Sequence, residues 1–260
     1  KSPVGKQKGS VLSWRQIEAK NPVLECLKAG NKISQIFTEE GLKTDAKIEK
    51  ILNLAKKQNI PLVKKGRKNL NRLSQTGGHQ GIIAMADGLP EYSLKYILEK
   101  CYREGREPFL VILPDILYEY NLGSVVRTAE SAGADAVIIN KRTRMGAVAT
   151  LAAMGAVEHL PIIRENLFSS LNLLRDEGIK IVAADPSADK FYYDADLTGP
   201  VALIIGSEGE GVRESFSDKI YLKVKIPMFG EITSLNLSAS AAIILYEIVK
   251  QHQKLVKKSS

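Results

Sequence analysis

Three stretches of the chain gather residues that could position a reacting group. The first is Asp115–Glu130, read DILYEYNLGSVVRTAE, which carries Asn121 and Arg127. It follows an apolar run expected as a buried strand and opens a helix. The carboxyl ends of strands are where open α/β sheets bind ligands. Asn121 has the side chain of a helix cap. Arg127 falls two turns into the helix, where an apolar context asks for a partner, either Glu130 at i+3 or a ligand. The second stretch is Gly206-Ser207-Glu208-Gly209-Glu210-Gly211, directly after VALII. Its glycines allow the backbone to approach a ligand closely, or simply to turn. The spacing matches neither GxxxxGK[ST] nor GxGxxG. Glu208 and Glu210 would repel an anion, so a neutral or cationic ligand suits the loop better than a phosphate. The third stretch, Ile226–Ser238, runs IPMFGEITSLNLS from an apolar turn to a Ser/Asn cluster at a helix start. Taken singly, Ser234 and Asn236 read as caps.

These motifs need a scaffold, and the second half of the sequence supplies a regular one. Continuous apolar runs at Phe109–Leu113, Ala136–Ile139, Ile179–Ala183 and Val201–Ile205 fit strands buried on both faces of a parallel sheet. Helices are expected near 121–133, 166–177 and 209–217, with a last long one over 235–251. The first half alternates more loosely. Asn21-Pro22 signals a helix start with a cap and a first-position proline, closed by Gly30. A strand is expected over Ile33–Thr38 and a helix from a cap at Asp45 to about Gln58. Short strands follow at Pro61–Val63 and Gly81–Ala86. The expected division is a basic flexible tail over 1–13, a small α/β domain over 14–87, a linker over 88–107 holding a helix at Tyr92–Tyr102, and a larger α/β domain over 108–257.

Composition narrows the class. With 260 residues and 44% hydrophobic content the chain can fill ordinary cores. It has no apolar span of about 18 residues, so no membrane segment is expected. The basic first residues lack a following apolar stretch, which reads as a cytoplasmic protein without a signal peptide. Cys26 and Cys101 lie far apart, and His79, His159 and His252 form no zinc spacing with them, so no metal is expected. Net charge is +8, which favours a polyanionic partner because phosphate contacts release counterions. The distribution says more than the total. Residues 61–75 carry Lys64, Lys65, Arg67, Lys68 and Arg72 with no acidic residue.

In order, NxGxxxRTA, GSEGEG and IPMFGxxxSLNLSxS resemble the motifs of the SPOUT RNA ribose 2′-O-methyltransferases of the SpoU/TrmH class. Each motif is weak alone, and their succession is specific. NPVLECLKAG and HQGIIA (His79–Ala84) are similar to that class's small substrate-binding domain. The resemblance covers nearly the whole chain beyond the first dozen residues. The layout is similar to enzymes that modify a guanosine ribose in bacterial large-subunit (23S) rRNA. A transfer-RNA methyltransferase, or a non-catalytic RNA-binding protein on the same scaffold, are the alternatives.

The resemblance implies a parallel sheet whose C-terminal segment forms a deep trefoil knot, the SPOUT fold, preceded by a ribosomal-protein-like α/β domain. It implies S-adenosyl-L-methionine as cofactor, held by Gly206, Ile226 and Leu235 with Met228 and Ile205 as walls. It implies Arg127 as the central catalytic residue with Asn121, Glu208 and Asn236 around it. It implies RNA gripped through Lys64, Lys65, Arg67 and Lys68, and a homodimer. Two segments depart from the class pattern: Tyr118-Glu119-Tyr120, where Asp-Pro-His is common, and Thr150–Ala156 (TLAAMGA), where small and polar residues are usual. They bear on substrate identity more than on the reaction.

Overall fold

The computed structural model describes residues 14–206 and 211–258. The expected tail over 1–13 lies outside them. The fold divides into two units, one formed by residues up to Glu91 together with Met145–His159, the other by Tyr92–Arg144 and the residues from Leu160 onward.

The first unit is built on a four-stranded sheet in the order β1-β4-β2-β3, where β1 is Trp14–Glu18, β2 Ile33–Glu39, β3 Leu62–Lys65 and β4 Ile82–Asp87. β4 pairs antiparallel with β1 and β2, and β3 runs parallel to β2. α1 (Lys20–Lys28) and α2 (Ala46–Lys57) cover it. The Asp45 carboxylate accepts the amides of Lys47 at 3.0 Å and Ile48 at 2.8 Å. This satisfies donors that a helix start leaves orphaned. Ile48, Ile51 and Ala55 then recur on one face and enter the core with Ile17, Leu27, Ile36 and Ile82. α1 begins earlier than Asn21-Pro22 suggests, at Lys20, so Pro22 sits inside the first turn. No amide is required of it there. The basic stretch after β3 is a short helix, α3 (Arg67–Leu73).

The second unit holds a six-stranded, wholly parallel sheet in the order β10-β8-β9-β5-β6-β7. Its strands are β5 Phe109–Leu113, β6 Ala136–Asn140, β7 Ile162–Glu165, β8 Lys180–Ala184, β9 Val201–Ile205 and β10 Leu222–Val224. Every residue of β5 and β9 is buried, as a sheet covered on both faces requires. α4 (Leu94–Arg103), α5 (Glu119–Ser131), α7 (Leu167–Asp176) and α8 (Leu237–Lys258) surround it. α4 falls in the stretch expected as a linker, yet Leu94, Ile97, Leu98 and Cys101 share one core with Leu110 and Ile112. Four apolar side chains at helical spacing pack that segment against the larger sheet.

The division differs from expectation at a second place. α6 (Ala147–Ala152) and the 3₁₀ turn Ala156–Glu158 lie within the span expected for the larger domain, but they pack in the first unit. The Glu158 carboxylate accepts both Arg15 terminal nitrogens at 2.7 Å and Asn31 Nδ2 at 2.7 Å. Gly155, at φ 100°, leaves no room for a Cβ, which would come within 2.6 Å of Glu25 Cβ. Residues 14–91 are therefore completed by a segment met much later in the chain.

Candidate active site

The carboxyl ends of β8, β9 and β10 open onto a cavity of about 500 Å³ in the second unit. Ala184–Pro186 follows β8, Ile205–Gly206 ends β9, and Val224–Ile226 ends β10. The loop from Pro227 to Leu235 forms the outer wall, and Leu237, Ser240 and Ile244 of α8 close it behind. This is where a parallel sheet is expected to bind a ligand.

Gly206 is fixed by geometry. A Cβ there would lie 1.8 Å from the Gly211 carbonyl oxygen and 2.5 Å from the Val212 amide nitrogen. Only glycine lets the chain return so close to the end of β9. Gly211 has φ +69°, and a Cβ on it would meet the Asp185 carboxylate at 3.5 Å. Beyond the turn, Arg213 forms a two-pronged ion pair with Asp115, one arm at 2.7 Å, joining the loop to the segment after β5. Ser207–Glu210, including the expected catalytic Glu208, lies outside the described residues.

Asp185 lines the cavity, although no motif singled it out. Its only sequence signal is a carboxylate one residue past the apolar run of β8. Its Oδ1 accepts the Ser187 amide at 2.9 Å and hydroxyl at 2.7 Å, and Lys223 Nζ lies 3.0 Å from Oδ2. Burial works to raise its pKa, but the Ser187 hydrogen bonds and Lys223 outweigh this and hold it below the usual carboxylate value. Asp185 is thereby held in the wall as a carboxylate paired with Lys223.

All five residues expected at a cofactor, Ile205, Gly206, Ile226, Met228 and Leu235, line this cavity. Of the expected catalytic residues, Asn121 and Asn236 meet: Asn236 Nδ2 donates to Asn121 Oδ1 at 3.1 Å. Asn236 also caps α8, its Oδ1 accepting the Ser238 amide at 2.9 Å and hydroxyl at 2.6 Å. Asn121 is not a cap. α5 starts at Glu119, and Asn121 is buried in its first turn, where its side chain serves the Asn236 contact. Arg127 is exposed and does not line the cavity. It lies six positions after Asn121, which at 3.6 residues per turn puts it roughly 120° round the helix. No ion pair joins it to Glu130 or to another described residue.

In the first unit, Lys64, Arg67 and Lys68 are exposed and Lys65 is half-buried. Lys65 stands over the Phe37 ring at 5.2 Å, and Arg67 approaches Glu39 at 3.6 Å. Cys26 and Cys101 are free and buried. Burial pushes their thiols up to about 12 and about 11, so neither is a ready nucleophile. Among the described residues no His, Cys, Asp or Glu cluster could hold a metal ion, and no helix is long and apolar enough to cross a membrane.

Residues 108–246, which include the cavity, match the family model of the SpoU rRNA methylases. The chain belongs to the SpoU rRNA methylase family. Residues 17–92 match a second model, RNA 2′-O ribose methyltransferase substrate binding. The chain is therefore an RNA methyltransferase with the SpoU catalytic domain behind a substrate-binding domain. It is similar to YacO of Bacillus subtilis, named for the TrmH family of tRNA/rRNA methyltransferases, at 34% identity over 89% of this chain and 94% of that protein. It is similar at 38% identity, over 80% of this chain and 86% of the relative, to the 23S rRNA (guanosine-2′-O-)-methyltransferase RlmB of Photobacterium profundum. Among solved structures, an RNA 2′-O ribose methyltransferase superposes with a TM-score of 0.78 at 27% identity, covering 92% of this chain and 88% of that one. An AdoMet-bound rRNA methyltransferase from Sinorhizobium meliloti shares the fold at a TM-score of 0.73 and 23% identity, over 91% and 87% of the two chains.

Proposed function

We propose that this SpoU-family enzyme transfers a methyl group from S-adenosyl-L-methionine to a ribose 2′-hydroxyl of 23S rRNA, at a guanosine. The observation that carries the cofactor reading is the cavity itself. Its volume falls within the roughly 300–1,000 Å³ of small-molecule sites. Its wall is apolar at Ile205, Ile226, Met228 and Leu235, its backbone is opened by Gly206, and the charged groups among its described lining residues are Asp185, paired with Lys223, and Lys225. In this reading the C-terminal segment is threaded as the trefoil knot that the motif resemblance implies. The rRNA reading rests on the likeness to RlmB.

When bound, S-adenosylmethionine supplies an electrophilic methyl group on a sulfonium. Gly206, Ile226 and Leu235, with Ile205 and Met228 as walls, would hold it, and the ribose oxygen would take the methyl as the carbon–sulfur bond gives its electron pair to sulfur. The hydroxyl proton leaves to solvent water. The protein's part is alignment and charge. Asn236, held by Asn121, presents an amide to the ribose hydroxyl. Arg127, exposed and without a described ion-pair partner, clamps an RNA phosphate and stabilises developing alkoxide charge. A guanidinium suits those tasks better than that of a base. Glu208 orients its neighbours in this reading. Lys64, Lys65, Arg67 and Lys68 hold folded RNA through its phosphates.

The enzyme works as a homodimer in this reading. Ala239, Ala242, Ile243 and Tyr246 follow one another at helical spacing on α8 and remain partly or wholly exposed, a stripe suited to a second copy. The test of function is methyl transfer to ribosomal RNA from a strain lacking this protein, with the modified ribose mapped. Arg127→Ala should lower the rate on the order of 100-fold or more while cofactor binding persists. Near-normal transfer by that variant would remove Arg127 from the chemistry.

A further inference from the structure

Phe229 is 95% exposed and Ile232 71% exposed, and both stand on the loop that forms the outer wall of the cavity. Met228, beside Phe229, turns partly into the cavity wall. A phenyl ring left in water forgoes about 1.5–3 kcal/mol of burial, and no aromatic ring of a described residue stacks on Phe229. Phe229 and Ile232 together leave an apolar rim on that wall.

We infer that Phe229 is a stacking platform for a nucleobase of the RNA, either the base of the target nucleotide or its immediate neighbour. The inference rests on the proposed methyl transfer. The reacting ribose must reach the cavity for its 2′-oxygen to meet a methyl group held there. A base is joined directly to that ribose, so it must come to rest at the rim. Unstacked RNA bases are recognised on aromatic faces, and every base has such a face. Lys225 also lines the cavity, with its ammonium 5.4 Å from the Phe191 ring centroid. Lys225 and Phe229 thus line the same cavity, a cation beside an exposed ring. A second copy of the chain fits the rim less well, because the apolar stripe on α8 already offers a copy its surface.

The test uses the full chain and total RNA from a strain lacking the protein, which holds the unmodified target whichever RNA carries it. Tritiated methyl transfer would be compared for wild type, Phe229→Ala, Phe229→Tyr and Phe229→Trp. The alanine variant should lose on the order of tenfold in kcat/KM for RNA, mainly through KM, which is the scale of one absent base stack. The tyrosine and tryptophan variants should keep the wild-type value. Cofactor affinity by calorimetry and sedimentation behaviour should not change. With Trp14 replaced by Phe, Phe229→Trp fluorescence should be quenched by RNA. Wild-type kcat/KM in the alanine variant overturns the inference. So does a loss of cofactor affinity, which would make Phe229 a cover for the cofactor. A shift in oligomeric state would make the rim a contact between copies and has the same consequence. If the wild-type enzyme methylates no RNA, the proposed function fails, and this inference fails with it.

Discussion

In the first unit Glu18 is 2% exposed, and its carboxylate takes hydrogen bonds from Ser74, Thr76, Gln75 and Gln16. Glu158 is equally committed to Arg15 and Asn31, and buried His79 bonds Asn71 through Nε2 while Nδ1 accepts the Gly81 amide. One oxygen breaks the pattern, Asp87 Oδ1, which is buried without a partner. In the second unit Asp185, Asn121 and Asn236 are likewise bonded, but two other kinds of group are not spent. Arg127 has no described ion-pair partner, and Phe229 and Ile232 face solvent. Buried polar groups with every bond made hold a fold in one arrangement. Groups left open are available to a ligand. The contrast separates a unit that must be rigid to present a basic surface from one that must receive reactants.

The largest expected effect is at Gly206. A Cβ at 1.8 Å from the Gly211 carbonyl cannot be relieved by a side-chain rotation, since the obstacle is backbone. Gly206→Ala should abolish cofactor binding, measured by calorimetry, and lower the melting temperature. A Gly206→Ala enzyme that binds S-adenosylmethionine normally would show that the turn can loosen without harm to the site. Next comes Glu158→Ala, which leaves Arg15 largely buried with its main counter-charge gone. Loss of one partner of a buried pair costs about 3–5 kcal/mol. Because Glu158 packs in the first unit, its loss should appear as exposure of the substrate-binding domain in hydrogen exchange. Protection that fails first around β9 instead would place the segment's role in the other unit.

How much of this could be read in the sequence depends on range. Strands β5 and β9 coincide with the apolar runs that predict them, because burial on both faces leaves a continuous signal. β1, β7, β10 and α6 leave none: they are short, and β10 keeps only Val224 buried. The pairing of Arg15 with Glu158 spans 143 residues, so no local pattern could reveal it, and the place of 145–159 in the first unit is hidden with it. The expected cofactor residues lie together because their motifs are loops at strand ends. Arg127 sits in an apolar stretch of sequence, but helix periodicity turns its face outward, away from that of Asn121.

Glu18 offers a smaller effect. Burial works to raise its pKa, but the hydrogen bonds from Ser74, Thr76, Gln75 and Gln16 outweigh it and hold the pKa below the usual carboxylate value. Its contribution is therefore present above the unfolded value, about 4.3, and is lost as pH falls through the lower folded value. Urea melts from pH 7 downward should show the substrate-binding domain weakening in acid. Glu18→Gln should cost about 1–3 kcal/mol at pH 7 and flatten that acid limb. An unchanged acid limb would mean that another carboxylate governs it.

The smallest effect on stability is expected at Lys64 and Lys68, and it completes the contrast inside the first unit. Lys65 is engaged with Phe37 and Arg67 approaches Glu39, whereas Lys64 and Lys68 are exposed and form no ion pair with a described residue. Removing both should change folding stability by no more than about 0.5 kcal/mol, as for surface changes that break no feature. RNA binding should respond differently. Removing a lysine that touches a phosphate should make the slope of log affinity against log salt shallower, by roughly 0.9 if that phosphate belongs to a duplex. Anisotropy titrations across a range of KCl would read this for Lys64→Ala with Lys68→Ala. A marked loss of stability would make these lysines part of the scaffold after all. An unchanged salt slope would move the RNA surface elsewhere on the unit, because charges that touch phosphate cannot be removed without releasing fewer counterions.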